Sequence, residues 1–175
     1  MYYFAYGSNM SRPRLLARIP DAQLQTVAIL PQHQFRLHKK GADGSAKADA
    51  YLTSDPEDRV YGALYQIAEH EREILDQIEG AGHGYEAKAV EVITADGERV
   101  TAFVYVALQI DCGLEAFDWY LQHILHGAET LALPEGYLEF LCRFKTRADP
   151  DLGRSRWEKS LYPADLLSDI EGLFH

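Results

Sequence analysis

Near its start the chain reads Tyr3-Phe4-Ala5-Tyr6-Gly7-Ser8-Asn9-Met10. The apolar, aromatic run at about residues 2 to 6 predicts a short buried strand that breaks abruptly at Gly7. Gly7 permits backbone angles that other residues resist, and Ser8 and Asn9 can bend the chain and bind its free backbone groups. A strand that ends in such a loop can present several N–H donors at one point, which suits an anionic or carbonyl oxygen of a ligand. The loop therefore predicts a site for a small polar substrate, whose chemical partner must come from elsewhere in the chain.

The size and charge of the chain restrict its class. With 175 residues, 47% of them hydrophobic, we expect one domain over residues 1–175, in which residues 149–175 form a C-terminal extension. The formal net charge of −10 argues against nucleic acid and against an anionic membrane surface as partners. No apolar run approaches the length needed to cross a bilayer. The chain enters the aromatic strand without a basic segment and a signal-like apolar core, so we expect a cytoplasmic protein.

Strand patterns dominate the first two thirds of the chain, and helical patterns dominate the rest. Strands are predicted at about residues 2–6, 24–30, 33–38, 48–53, 60–67, 85–94 and 99–108. Helices are predicted at about residues 11–19, 69–78, 114–126, 135–147 and 163–173, with an irregular stretch from Asp149 to Tyr162. Segregated runs of this kind favour an α+β fold, and strands joined by hairpins indicate a small curved or closed β-barrel with flanking helices.

Two of these segments carry the clearest local signals. The strands at 85–94 and 99–108 alternate on either side of Asp96-Gly97, which is a strong hairpin turn. In the helix at 69–78, the spacing predicts that Ile74, Leu75 and Ile78 lie on one face.

That helix ends in Leu75-Asp76-Gln77-Ile78-Glu79-Gly80. A carboxylate in the last turn of a helix is electrostatically unfavourable, because that end carries partial negative charge. The local pattern alone favours an exposed Glu79 at a frayed helix end. A carboxyl group held near apolar and aromatic groups can instead act as an acid and a base in turn.

The two segments together resemble the γ-glutamylcyclotransferase family. The resemblance rests on Tyr-Phe-Ala-Tyr-Gly-Ser-Asn at 3–9 and on Leu-Asp-x-x-Glu-Gly at 75–80, and it covers roughly residues 2 to 147. Val104-Tyr105 and the later stretch from Tyr120 through His126-Gly127-Ala128 to Leu133-Pro134 also fit the pattern. Met10 stands where leucine is familiar, a swap that conserves volume.

The resemblance implies a compact α+β fold with a small barrel and a reaction that needs no metal or organic cofactor. The α-amine of a γ-glutamyl compound attacks its own γ-carbonyl, giving 5-oxoproline and a free amine or amino acid. Holding the glutamyl chain folded favours this attack by proximity. Glu79 takes the acid/base role by similarity.

The glutamyl-binding loop corresponds to residues 6–9, and we expect N–H groups of Gly7, Ser8 and Asn9 to contact a substrate oxygen. Without the resemblance, Tyr105 and Tyr120 would be interpreted as core aromatics. The substrate-binding residues that the resemblance implies are Tyr3, Phe4, Ala5, Tyr6, Gly7, Ser8, Asn9, Tyr105 and Tyr120.

Other chemical signals are weaker. His123 and His126 are spaced to share a helix face, but no nearby Cys or carboxylate pair completes a zinc site. Cys112 and Cys142 form no Cys-x-x-Cys pair and are expected to be buried or partly buried free thiols. Ser8 lacks the flanking pattern of a nucleophile elbow, so we assign it to loop geometry and binding.

Two function classes remain open: a cyclotransferase, and a non-catalytic ligand-binding or interaction protein on the same scaffold. Within the enzyme class, both γ-glutamyl amino acids and γ-glutamyl amines fit as the small-molecule partner. A glutathione-specific activity is disfavoured, because that branch resembles Tyr-Gly-Ser-Leu more than Tyr-Gly-Ser-Asn. The acidic net charge weakly favours a cationic leaving amine, and a homodimer is compatible with the sequence.

Overall fold

A closed barrel of five strands forms the centre of the computed structural model, which describes residues 1–163. The strands are β1 (Tyr2–Ala5), β2 (Gln23–Pro31), β3 (His33–Lys40), β4 (Ala46–Leu52), β5 (Arg59–Gln66), β6 (Tyr85–Thr94), β7 (Arg99–Ala107), β8 (Ala116–Phe117) and β9 (Thr146–Arg147). The helices are α1 (Arg12–Leu16), α2 (Glu69–Glu79), α3 (Asp118–Thr130), α4 (Glu135–Cys142) and α5 (Leu152–Lys159). The barrel order is β1-β5-β2-β6-β7, which confirms the predicted α+β fold with a small barrel and flanking helices.

The N-terminal strand closes the barrel. β1 pairs antiparallel with β5, where Tyr3 lies opposite Tyr65, and it pairs parallel with β7, where Tyr3 lies opposite Phe103. Successive side chains of a strand point to opposite faces, so β1 contributes to two hydrophobic clusters. Phe4 and Tyr6 pack in the cluster that includes α3, whereas Tyr3 and Ala5 pack in the cluster that includes residues of α1 and α2. The loop that follows β1 is thus fixed from both sides of the barrel wall.

Two predicted helices have different bounds in the structure. The helix predicted from residue 114 begins at Asp118, because Ala116 and Phe117 are extended and pair in parallel with Thr146 and Arg147. For the same reason α4 ends at Cys142, before the second strand of that pair.

The stretch predicted to be irregular, 149–162, contains α5, whose first turn is capped by the Asp151 carboxylate accepting from Arg154 N–H at 2.9 Å. The helix predicted at 163–173 lies, beyond Pro163, outside the described residues.

The predicted apolar face of α2 is only partly buried. Leu75 is fully buried, but Ile74 and Ile78 are exposed. The other buried residue of this helix is Glu71, whose carboxylate accepts hydrogen bonds from the N–H groups of Asp21 and Ala68. The helix therefore faces the core with a narrow stripe around Leu75 and a capping carboxylate, and its isoleucines remain outside.

Two further predictions concern solvent exposure and membrane contact. Of the two free cysteines, Cys142 is half-buried as expected, whereas Cys112 is exposed. No helix within residues 1–163 has the length and apolar character that a membrane crossing requires.

Helix α3 packs directly on the backbone of the loop that follows β1. A Cβ atom at Gly127 would lie 2.5 Å from Met10 Cβ, 2.6 Å from Met10 C and 2.6 Å from Ser11 N. Only a residue without a side chain allows this close approach. By contrast, a Cβ atom at Gly136 in α4 would meet nothing within 4 Å.

We therefore expect Gly127→Ala to lower the free energy of unfolding by about 1–3 kcal/mol, because the added methyl group must displace backbone atoms. Gly136→Ala is the matched control, and it should leave the stability unchanged or raise it by up to about 1 kcal/mol through helix propensity. Urea unfolding measures both. A Gly127→Ala protein as stable as the wild type would contradict the close packing described here.

Candidate active site

The end of α2 fixes the position of Glu79. Gly80 adopts a left-handed conformation with φ of 64°, and the following Ala81 N–H donates to Asp76 O at 2.8 Å. This arrangement ends the helix sharply and satisfies a carbonyl group of its last turn. Glu79 is consequently the last helical residue, held at a defined point and not frayed.

The Glu79 carboxylate faces the loop after β1. Its Oε1 atom accepts from Arg18 Nη1 at 2.9 Å and from Asn9 Nδ2 at 3.2 Å, and the side chain is 17% exposed. Arg18 Nη1 also donates to Asn9 Oδ1 at 3.0 Å. The exposed position that the local sequence pattern favours for Glu79 is therefore wrong. Both donors contact Oε1, so Oε2 has no partner among the described residues.

The loop itself forms one 3-10 turn at Ser8–Met10, closed by hydrogen bonds from Met10 N to Gly7 O and from Ser11 N to Ser8 O. The N–H groups of Gly7, Ser8 and Asn9 bond to no acceptor within residues 1–163. Buried backbone donors are normally paired, so three consecutive unpaired donors mark a place where an external oxygen fits.

A small cavity of about 30 Å³ joins the loop and Glu79. Its walls are formed by Tyr3, Tyr6, Gly7, Ser8, Asn9, Ala48, Glu79, Tyr85, Tyr105 and Tyr120. All the site residues predicted from the sequence line this cavity except Phe4 and Ala5. These two residues are fully buried in the core. These two residues support the loop by packing.

Hydroxyl groups of the cavity tyrosines are anchored to the protein. Tyr6 donates to Tyr105 O at 2.6 Å, and Tyr85 donates to Ala48 O at 2.6 Å. The Tyr120 hydroxyl accepts from Ala48 N at 3.0 Å. Burial raises the pKa of Tyr6, Tyr85 and Tyr120, so these groups stay protonated at neutral pH.

Tyr105 differs from the other cavity tyrosines. Its hydroxyl donates to Asp76 Oδ1 at 2.6 Å, and Asp76 also pairs with Arg72. The ring of Tyr105 thus forms cavity wall, while its hydroxyl is occupied by the ion pair on α2.

A larger groove of about 570 Å³ adjoins the small cavity and shares Ser8, Glu79, Tyr85 and Tyr120 with it. Its lining includes a set of basic side chains that sequence reasoning did not select: Arg14, Arg18, Lys39, Lys40 and Lys47. The spacing of four between Arg14 and Arg18, just after the loop, was the one sequence signal for any of them. Tyr85 was also missed, although it begins the strand that follows the glycine-containing turn after Glu79.

Residues 158–162 hold Arg14 in the groove wall. Arg14 Nη1 donates to Glu158 Oε2, which also accepts from His123 Nε2 at 2.9 Å. The other ring nitrogen of His123 bonds to the Tyr162 hydroxyl, which in turn lies 2.7 Å from Ser11 Oγ. With the ring proton of His123 on Nε2, that nitrogen donates to Glu158 and Nδ1 accepts from Tyr162. Arg14 Nη1 also lies 3.0 Å from Nε2 but then donates only to Glu158.

This network accounts for His123, and the ring of His126 packs against Tyr162 with centroids 4.6 Å apart. Within residues 1–163, no group of three or more His, Cys, Asp or Glu side chains is arranged to hold a metal ion.

Several known proteins are similar to this chain in sequence and fold. Human γ-glutamylcyclotransferase is 30% identical to the chain over 145 residues, which cover 79% of this chain and 76% of the human protein. The chain belongs to the γ-glutamylcyclotransferase family. The mouse γ-glutamylcyclotransferase is 29% identical over the same shares, and a family model described as AIG2-like matches residues 59–141. A solved structure named γ-glutamyl cyclotransferase superimposes with a TM-score of 0.80 over 98% of both chains at 22% identity, which shows that the fold is shared.

The buried network predicts a pH dependence of stability in this member of the γ-glutamylcyclotransferase family. Burial lowers the pKa of His123 from 6.5 to about 4. Between these values the unfolded chain binds a proton that the native protein does not, so stability rises with pH. As the pH falls from 6.5 to 4, the free energy of unfolding should decrease by about 3 kcal/mol from this residue alone.

Denaturant unfolding at several pH values measures how the free energy of unfolding changes with pH. The His123→Gln protein should be less stable at pH 7, but its free energy of unfolding should change less between pH 6.5 and 4. The change that remains comes in part from His126, whose pKa burial also lowers. His70→Gln, at an exposed position on α2, should retain the wild-type slope. An unchanged slope in His123→Gln would contradict this account.

Proposed function

We propose that this protein is an enzyme that converts γ-glutamyl compounds into 5-oxoproline and a free amine. Membership of the family supports the enzyme class. The observation that carries the proposal for this chain is that Glu79 lines one cavity together with Gly7, Ser8 and Asn9, whose N–H groups have no acceptor within residues 1–163. A carboxylate that moves protons and donors that receive an oxyanion are the two parts this reaction needs.

The size of the cavity limits how a substrate lies. A volume of about 30 Å³ accepts a carbonyl oxygen or an amine but not a whole glutamyl chain. We assign the γ-carbonyl and α-amine to the mouth of this cavity, beside Glu79. The leaving group then extends into the adjoining groove, whose lining also includes Glu79.

In the proposed reaction, the neutral α-amine nitrogen attacks the γ-carbon, and the new C–N bond closes the five-membered ring. The carbonyl oxygen becomes an oxyanion, which the loop N–H groups stabilise. Glu79 takes one proton from the attacking nitrogen and gives it to the leaving nitrogen as the original amide bond breaks. The substrate supplies its own nucleophile, so the proposal includes no metal or cofactor, and holding the chain folded supplies much of the rate.

The contacts of Glu79 suit this role. Arg18 and Asn9 hold Oε1 in place, and Oε2 is left without a donor within residues 1–163. We assign the proton transfer to Oε2. Arg18 and Asn9 are then positioning residues for the carboxylate, and Asn9 contributes a backbone N–H to the loop as well.

We expect Glu79→Gln to lower kcat for 5-oxoproline release by about 10²- to 10⁴-fold, because the amide cannot accept the proton. The glutamine keeps an oxygen for Arg18, so the variant should fold. Glu73→Gln, an exposed position on the same helix, is the control and should keep wild-type turnover. The measurement is 5-oxoproline formed from a panel of γ-glutamyl amino acids and γ-glutamyl amines, with circular dichroism to verify folding.

Three results of this assay are informative. Full turnover by a folded Glu79→Gln protein would refute the role of Glu79 while leaving the activity intact. Absence of 5-oxoproline from every substrate with the wild-type protein would refute the enzyme. If the same compounds still bind in that case, the alternative of a non-catalytic ligand-binding protein on this scaffold is favoured.

A further inference from the structure

Asp76 is the residue of the Leu-Asp-x-x-Glu-Gly segment at 75–80 that the proposed reaction does not use. It lies in the last turn of α2, three residues before Glu79, so the two side chains are neighbours on the helix surface. This turn contains two carboxylates and no basic residue, although that end of a helix carries partial negative charge. Because an acid here is unfavourable for the helix itself, what Asp76 contributes lies in its contacts outside the helix.

The Asp76 carboxylate attaches α2 to the barrel. Its Oδ1 atom accepts from the Tyr105 hydroxyl of β7 at 2.6 Å, a charge-assisted hydrogen bond, and such bonds are about twice as strong as those between neutral groups. Arg72, one turn earlier on α2, donates its Nε–H to both carboxylate oxygens at 3.0 and 3.1 Å. The guanidinium of Arg72 also lies over the Phe103 ring, 4.0 Å from its centroid. Two side chains of α2 are thus held by two residues of one barrel strand.

Tyr105 contacts the strand before the loop as well as the helix. Its backbone carbonyl oxygen accepts from the Tyr6 hydroxyl at 2.6 Å, and Tyr6 directly precedes Gly7. Its ring packs edge-on against the Tyr3 ring, with centroids 5.9 Å apart. Its hydroxyl binds α2. Tyr105 therefore connects the start of the loop after β1 with the helix that carries Glu79.

The Tyr105–Asp76 hydrogen bond has a fixed direction. Burial and the hydrogen bond to Asp76 raise the pKa of Tyr105, so its hydroxyl is protonated at neutral pH and donates. The Asp76 side chain is 34% exposed, and it lines neither the small cavity nor the groove. Asp76 thus acts on the candidate site through the residues that it holds.

We propose that Asp76 is a positioning residue, which fixes the end of α2 on the barrel through the Tyr105 hydroxyl and so holds the Glu79 carboxylate beside the loop after β1. The inference rests on the proposed function, because the step that depends on this position is the proton transfer at Glu79. A misplacement of about 1 Å can slow an oriented reaction by about 10²-fold. Arg18 and Asn9 hold the carboxylate itself, whereas Asp76 holds the helix that carries it.

The test measures 5-oxoproline release by folded variants, with circular dichroism to verify folding. We expect Asp76→Ala and Tyr105→Phe each to lower kcat by about 10- to 100-fold with little change of KM, because the substrate contacts remain. Asp76→Asn keeps an oxygen for the Tyr105 hydroxyl and should restore most of the lost kcat. Glu73→Ala, at an exposed position on the same helix, is the control and should keep the wild-type kcat.

Two combined variants separate positioning from a general loss of structure. The Asp76→Ala/Tyr105→Phe protein should be no slower than Asp76→Ala alone, because both changes remove the same contact. In a Glu79→Gln protein, Asp76→Ala should lower kcat no further, since the carboxylate that it positions is gone. A raised KM with unchanged kcat in Tyr105→Phe would overturn the proposal, because that result assigns the hydroxyl to substrate binding.

Amide hydrogen exchange followed by NMR tests the same contact without a substrate. The Ala81 N–H, which donates to Asp76 O at 2.8 Å, should exchange at least about 10-fold faster in Asp76→Ala and in Tyr105→Phe. Amides of β2 are the internal reference and should keep their wild-type rates.

Failure of this inference is distinguishable from failure of the proposed function. If the wild-type protein releases 5-oxoproline and a folded Asp76→Ala protein keeps full turnover, the role of Asp76 is refuted and the enzyme stands. If the wild-type protein releases none, the proposed function is refuted and hydrogen exchange alone decides. Faster exchange at Ala81 would then support Asp76 as the anchor of the helix end, and unchanged exchange would overturn it.

Discussion

The Asn9 side chain joins the parts of this structure on which the site depends. Its Nδ2 donates to Tyr3 at 2.9 Å and to Glu79 at 3.2 Å, while its Oδ1 accepts from Arg18 at 3.0 Å. An amide is suited to this place because it has a donor for the carboxylate and an acceptor for the guanidinium. Aspartate would repel Glu79, and a shorter hydroxyl side chain would not offer both groups in this geometry. The barrel makes these contacts possible, because β1 and the strand preceding α2 are hydrogen-bonded neighbours.

Local signals in the sequence predicted much of the architecture. The aromatic run before Gly7, the Asp96-Gly97 turn and the helix that ends at Gly80 are each encoded within a few residues, and each was correctly placed. The helical period of α2 placed Leu75, Ile74 and Ile78 on one face but could not show that only Leu75 of these three is buried. Burial on this helix depends on the residues that pack against it, and those residues are distant in the sequence.

The lining of the candidate site was predictable to a similar extent. The loop and Glu79, which the sequence predicts as a pair, line one cavity, whereas Lys39 and Tyr85 reach the groove from strands whose pairing the sequence does not state. Net charge was equally uninformative about the groove, since a cleft with its own cluster of cations can hold a potential opposite to that of the surface. Arg14 illustrates the limit: its place in the wall depends on Glu158, a residue 144 positions away.

The contacts of residues 158–162 have a consequence for the order of events during synthesis on the ribosome. The strands of the barrel all lie before residue 108, so the barrel can close while the rest of the chain is still being made. Ser11, next to the loop after β1, and Arg14 in the groove obtain their partners only when Tyr162 and Glu158 emerge. The barrel can thus form early in translation, and these two residues beside the candidate site gain their partners only after residues 158–162 are made.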